Sequence, residues 1–405
     1  MREKAPADTS FFSGSPSEVF ITFFKLGLTS FGGPIAHLGY FRLELVEKRK
    51  WVSENQFGQL LAICQFLPGP ASSQLGFSLG LQRAGWLGAL AAFVAFTAPS
   101  AVLLVVFAAI LPSLSGTIGS AAVHGLKLVA LAVVAQGVLG MSRQLCPDVQ
   151  RITIATLAAV VVLVMGSASA QLLVVVGGAI AGVVFCRSVQ PNAEESLSLN
   201  YGPRVGWILL ALFALFLFGL PLLATERTGL LEVADAFYRA GALVFGGGHV
   251  VLPLLEESVV TSGWISQDKF LAGYGAAQAV PGPMFTFAAY LGTVLPGSQG
   301  GVAGAVTALL CVFLPGFLLI AGALPLWRLI SGGAVSARAI AGVNAAVVGL
   351  LGAALYDPIF VSGVRGPIDA AIGIVALMLL VAWRLSPLLV VVWCVTSSVA
   401  TALLV

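Results

Sequence analysis

The chain has 405 residues, 59% of them hydrophobic and 9% charged, and a soluble core of ordinary proportions cannot hide so much apolar surface, so the composition is that of an integral membrane protein. A net charge of +3 without a long basic run argues against nucleic acid as a partner. The five scattered cysteines form no CxxC pair and no Cys/His ligand spacing, and no glycine-rich phosphate loop is present, so neither a metal nor a cofactor nor ATP coupling is expected.

Residues 1–16 form a polar tail without the basic start, short apolar run and cleavage site of a signal peptide, and direct insertion into a cytoplasmic membrane is expected. Next comes a motif that occurs twice. Glu18 to Gly33 reads EVFITFFKLGLTSFGG, and Glu232 to Gly247 reads EVADAFYRAGALVFGG. Each copy places one cation at the same point, Lys25 or Arg239. Further on, Gln65 with Pro68-Gly69-Pro70 returns as Gln278 with Pro281-Gly282-Pro283. Such a duplication marks a transporter built from two related halves, with its site where they meet. The divisions expected are a first repeat over 17–186, a linker with an extra span over 187–231, and a second repeat over 232–405.

Full crossings are predicted at Trp86 to Leu111, Gly119 to Met141, Val205 to Ala224, Val302 to Leu326 and Ser336 to Tyr356. Ile152 to Phe185 and Ile368 to Val405 are each too long for one helix, since about 20 residues cross a bilayer. Each divides into two spans, with turns at Gly166 to Ala170 and Trp383 to Pro387. Positive charge collects on the cytoplasmic side, and corresponding loops of the two copies differ in sign. Arg42, Lys48, Arg49 and Lys50 follow the first FGG, whereas Glu256, Glu257 and Asp268 against Lys269 follow the second. Arg143 and Arg151 stand where the second copy has Asp357, Asp369 and Arg365. The halves are therefore expected to lie in opposite orientations.

That arrangement requires Phe20 to Tyr40, Phe57 to Gln82, Ala234 to Leu254 and Phe270 to Leu295 each to enter and leave on one side. FGGP, FGGG and PGP permit it, because glycine costs about 1 kcal/mol and proline about 3 kcal/mol inside a helix. The predicted fold class is an all-α integral membrane protein of two inverted-topology homologous repeats with broken re-entrant helices, about nine full spans plus about four re-entrant segments.

Unwound backbone is tolerated at membrane depth only where protein or a watery cavity satisfies it. The breaks at Phe31, Gly32, Gly33 and Pro34, at Phe245, Gly246 and Gly247, at Pro68-Gly69-Pro70 and at Pro281-Gly282-Pro283 therefore predict a central cavity. Each break also presents the N-terminus of the helix that follows, which suits an anion. Lys25 and Arg239 await that anion, pair with acids, or snorkel to an interface; Glu18 and Glu232, two turns earlier, share their face but lie too far for a direct pair. Gln65 and Gln278, three residues before PGP, are placed to bond a ligand or the carbonyls that proline frees. His37 and His249 flank the FGG breaks, as proton carriers or as plain contacts to unwound backbone. Lys127, on one helical face with His124, and its counterpart Asn344 line the pathway or serve packing. No nucleophile or metal constellation accompanies them, so an enzyme is not expected.

FGGP followed by a basic loop, Trp51 and QFLPGP, with a degenerate second copy of FGGGH, Trp264 and QAVPGP, resembles the bacterial chromate ion transporter family over almost the whole chain. The resemblance implies a multi-pass protein of the bacterial cytoplasmic (inner) membrane, in contact with membrane lipids, that exports chromate and confers chromate resistance. It also implies secondary transport, driven by the proton gradient or the membrane potential, with sulfate as the near-isosteric competitor. Gly248 stands where Pro34 would fall, and the second copy lacks the basic loop, so equal binding by both breaks is not implied. A site of backbone N–H groups and one or two cations suits either dianion, which leaves a sulfate or other oxyanion permease and a passive anion channel as alternatives. The oligomeric state is left open, a homodimer included.

Overall fold

The first helix, Pro16–Thr29 (α1), begins where Ser15 accepts the Glu18 amide at 3.2 Å, with Pro16 in the first turn, which satisfies one of the N–H groups that a helix start leaves free. The computed structural model describes residues 14–31, 33–113, 116–165, 168–187, 199–224, 229–244, 251–327 and 334–404. Among them every regular element is helical. After α1 come Gly33–Phe41 (α2), which continues as a π-helix over Arg42–Lys48, then Glu54–Phe66 (α3) and Ala71–Ile110 (α4). Thr117–Leu145 (α5), Val149–Met165 (α6), Ala168–Phe185 (α7) and Pro203–Leu223 (α8) follow.

The later chain echoes the earlier. Leu230–Ala242 (α9), Val251–Glu256 (α10, running into a π-helix over Glu257–Thr261), Gln267–Ala279 (α11), Phe287–Val294 (α12) and Gly301–Ala323 (α13) repeat the first series. Ala334–Ala354 (α14), Pro367–Val381 (α15) and Pro387–Leu404 (α16) complete it.

A straight helix of the length of α4 would run for about 60 Å, twice the thickness of a bilayer core. It is not straight. Ala84 and Gly85 leave helical geometry, Gly85 with a φ of 66°. Beyond them the chain folds back, so that a Cβ placed on Gly80 would lie 2.5 Å from the Gly88 carbonyl oxygen. The arm over 71–83 is thus a short helix laid against the long arm over 86–110. In the second half the same fold-back separates α12 from α13, where Gly292 meets the backbone of Gly304. Glycine at these four positions lets two backbones touch where a side chain would hold them apart.

Among the described residues, six helices are long and apolar enough to cross a membrane: Ala71–Ser113, Thr117–Leu145, Pro203–Leu223, Gly301–Leu326, Ala337–Gly363 and Pro387–Leu404. Shorter apolar helices occupy Val149–Met165, Leu173–Phe185, Met284–Val294 and Pro367–Val381. The turn predicted at Trp383 to Pro387 falls where α15 gives way to α16, whereas of that predicted at Gly166 to Ala170, residues 168–170 belong to α7 and residues 166–167 lie outside the described residues.

Packing interlocks the halves. The pair α6 and α7 rests on α14, with Gly178 and Gly182 against Gly342 and with Ala155 against Gly349. In return, α15 and α16 rest on α5, where the Ser398 hydroxyl donates to the Ala121 carbonyl at 2.8 Å. Each half thus lends its last helix pair to the other. The helix without a counterpart, α8, lies on α9 and α13, and the Tyr238 hydroxyl donates to the Phe213 carbonyl at 3.0 Å. It covers on α9 the face that α1 leaves bare, for Tyr238 is buried while Phe24, at the same point of the first motif, is exposed.

Candidate functional site

Helix α1 stops at Thr29 because the chain turns extended at Ser30, and the carbonyls of an interrupted helix then need donors from elsewhere. The donor for Ser30 comes from the other half. The Gly282 amide, in the second PGP, donates to the Ser30 carbonyl at 2.9 Å, and the Gly69 amide, in the first PGP, donates to the Val244 carbonyl at 2.7 Å. Ser30 and Val244 are the residues immediately before the first and second FGG. Each PGP break is therefore bonded to the residue that precedes the FGG of the other half.

Only glycine suits the centre of either PGP. Gly69 has a φ of 126° and Gly282 a φ of 104°, in the region that L side chains avoid. A Cβ on Gly69 would also stand 2.9 Å from Gly316 Cα, and one on Gly282 would stand 2.7 Å from the Ser100 hydroxyl. Ser100 and Gly316 each follow a proline within a long helix, Pro99 in α4 and Pro315 in α13. Gln74 binds this junction by donating to the carbonyls of Pro68 at 2.9 Å and Gly316 at 3.0 Å. Pro283 accepts from the Thr286 hydroxyl at 2.7 Å. These bonds use up the carbonyls; polar atoms on the same segments are left over. Ser30 Oγ, His37 Nδ1, Ser73 Oγ, Thr97 Oγ1 and Gln278 Nε2 are buried without a protein partner, and buried polar groups ordinarily find one in protein, water or ligand.

His37 is fully buried in α2, its ring edge-on to Phe96 and its Nε2 donating to the Ser30 carbonyl at 3.2 Å. It thereby shares one acceptor with Gly282. Phe31 is half-buried, and Gly33 and Pro34 open α2. Gln278 is buried whereas Gln65 is exposed, because α11 is enclosed from Phe270 to Gln278 while α3 shows one side. Gly32, Phe245, Gly246, Gly247 and His249 lie outside the described residues.

The two matched cations part company. Arg239 pairs with Asp235, one turn earlier on α9, and it is the exposed residue in a stretch over 233–242 that is otherwise buried. Lys25 is not brought to the crossing. It stands on the exposed face of α1 with Phe20, Phe24 and Leu28, and Ile21 occupies the position matching Asp235. Glu18 and Glu232, as their spacing implies, serve neither cation. Glu18 accepts from Arg83 and from the Trp51 indole at 3.1 and 3.2 Å, and Glu232 accepts from Gln299 at 3.1 Å.

Lys127 is buried in α5 and paired with Asp268 at the start of α11. Its ammonium holds the Asp268 carboxyl below the usual carboxylate range, against the opposing effect of burial. His124, one turn before, meets Asp369 at 3.0 Å. Asn344, the counterpart of Lys127 on α14, buries its Oδ1 without a partner. Asp235 was within reach of sequence reasoning through its spacing of four from Arg239. Ser30, Gln74 and Asp268 were not, since their partners lie far along the chain.

The family model described as Chromate transporter matches residues 17–183 and again residues 231–399. The chain belongs to the chromate transporter family. It is 28% identical to a chromate transport protein of Pseudomonas aeruginosa over 376 residues, which cover 91% of this chain and 87% of that one. It is 30% identical to a probable chromate transport protein of Synechococcus elongatus, over 73% of this chain and 72% of the relative. An uncharacterized transporter of Bacillus subtilis, YwrA, is 31% identical over 130 residues, which are 32% of this chain but 71% of that protein. No solved structure matches the chain significantly. With its apolar helices, family membership makes this a multi-pass membrane protein of a transporter family.

Proposed function

We propose that the protein is a secondary transporter that exports chromate across the bacterial cytoplasmic membrane and so confers chromate resistance. The observation that carries this reading is the reciprocal pair of bonds from Gly69 to Val244 and from Gly282 to Ser30. Each ties the PGP of one half to the residue that precedes the FGG of the other, and the helix starts that follow such interruptions favour a small anion. The proposed substrate contacts are the backbone of residues 31–34, 68–70, 245–247 and 281–283, the amides of Gln65 and Gln278, and Arg239. His37 and His249 are proposed for proton movement, and Lys127 and Asn344 for the pathway. Lys25, on the outer face of α1, is left out.

Opposite orientation of the repeats accounts for the loop charges, and the fold-back at Ala84 and Gly85 supports the re-entrant reading of the PGP segments. Export of a dianion from a negative interior is electrically downhill, by about 2.3 kcal/mol per charge per 100 mV. The chemistry of the site suits sulfate as well as chromate, so a sulfate or other oxyanion permease is the second reading. Vesicle flux of labelled chromate and sulfate under imposed pH and voltage gradients tests both. Chromate export that saturates and follows the gradient is the result expected; sulfate flux without chromate flux would select the second reading.

A further inference from the structure

Away from the crossing, a cavity of about 570 Å³ opens between the halves at the N-terminal end of α11, where α4 and α12 end and α5 begins. Its polar wall carries the cations Lys127, Lys269 and Arg365 together with the His124 imidazole, and Asp268 is the carboxylate among its described lining residues. Asp369 stands behind, accepting the Arg365 amide at 2.9 Å and meeting His124 Nε2 at 3.0 Å. His124 is only 8% exposed, and its Nδ1 has no protein partner.

The two members of the central ion pair are unequal. The Lys127 side chain is 3% exposed and that of Asp268 is 69% exposed. A buried ammonium left alone costs several kcal/mol, whereas an exposed carboxylate can turn to water at little cost. The pair therefore opens only when another anion takes the place of Asp268. Lys269 and Arg365, with no other carboxylate among the described residues of the cavity wall, attract such an anion and hold it.

We propose that this cavity is an oxyanion-binding vestibule, in which a small tetrahedral dianion replaces the Asp268 carboxylate on the Lys127 ammonium and so breaks the charged tie between α5 and α11, the helix that leads into Pro281-Gly282-Pro283. Its purpose rests on the transport reading above; its binding chemistry does not. Asp268, in the first turn of α11, makes that tie directly to the buried ammonium of α5.

The test is sulfate binding by the purified full-length chain, read as the rise in Tm against sodium chloride of equal ionic strength. Sulfate is the probe because chromate oxidises thiols. Asp268→Asn, freed of the competing carboxylate, binds sulfate at least about tenfold tighter than the parent chain and shows the larger rise in Tm. Lys127→Gln, alone or with Asp268→Asn, shows no sulfate-specific rise. Equal shifts in all four proteins, or none in Asp268→Asn, overturn the proposal. A second measurement needs neither charge substitution: Thr293→Cys, on the cavity wall, reacts at least about threefold more slowly with an anionic thiol reagent when sulfate replaces chloride, as competition for one site requires. Absence of protection also overturns it. Chromate flux in vesicles tests the transport reading separately, and a chain that transports without these sulfate effects overturns the vestibule alone.

Discussion

Lys25 and Arg239 occupy one point of a repeated motif yet have different surroundings, and only the neighbours explain why. Asp235 gives Arg239 a partner on α9, and Ile21 denies one to Lys25 on α1. Chromate flux measured in vesicles separates them. Arg239→Met lowers flux at least about tenfold and leaves the buried Asp235 uncompensated, so stability falls as well; Lys25→Met transports within about twofold of the parent, since its loss removes a cation from an apolar face. A second residue makes stability depend on pH. Burial pushes the Glu256 carboxyl from 4.5 up to about 7, with Gln267 opposing and Asp357 and Glu257 adding to it. The folded chain thus holds this proton more tightly than the unfolded one, and the stabilisation it brings is present at acid pH and lost as pH rises through about 7. Tm recorded between about pH 5 and pH 8 falls in the parent chain more steeply than in Glu256→Gln, where that proton is absent. Parallel curves would show that Glu256 is not the group responsible.

At the scale of elements, most boundaries were legible because membrane thickness fixes them. Apolar runs too long for one crossing had to divide, and each is divided between two helices, the second at the predicted turn. PGP was legible as a break because proline removes an N–H and glycine opens positive φ. What the breaks bond to was not legible. Nothing near Gly282 in the sequence points to Ser30, and no spacing pairs Lys127 with Asp268. The short helices before each fold-back depend on two glycines meeting. Gly88→Leu therefore places a side chain against the Gly80 backbone, and overpacking of this kind costs typically about 1–3 kcal/mol or more. Reduced yield and lower Tm are expected, while Gly140→Leu, at a position with open space around it, changes neither.

For the whole molecule, the exchange of helix pairs sets what the two halves can do alone. A chain cut within residues 188–198 and expressed as two pieces is expected to yield little folded protein from either piece singly. Expressed together, the pieces regain chromate flux, because α14 needs α6 and α7 while α5 needs α15 and α16. Recovery of a stable, monomeric first piece would contradict this. The Bacillus subtilis relative, most of whose length matches only a third of this chain, is a protein of roughly half the size, so such a division is compatible with a folded relative.

The trading of helix pairs also limits how the protein can move. Rocking of one half as a rigid body against the other would have to peel α6 and α7 from α14 and α15 and α16 from α5, baring close glycine seams on both sides at once. The close packing of the outer helices thus favours their staying together as a frame. In the transport proposed above, alternation between the two sides of the membrane would fall instead to the short elements hung inside that frame: α3, exposed on one side, and α11, enclosed from Phe270 to Gln278 but open at Asp268.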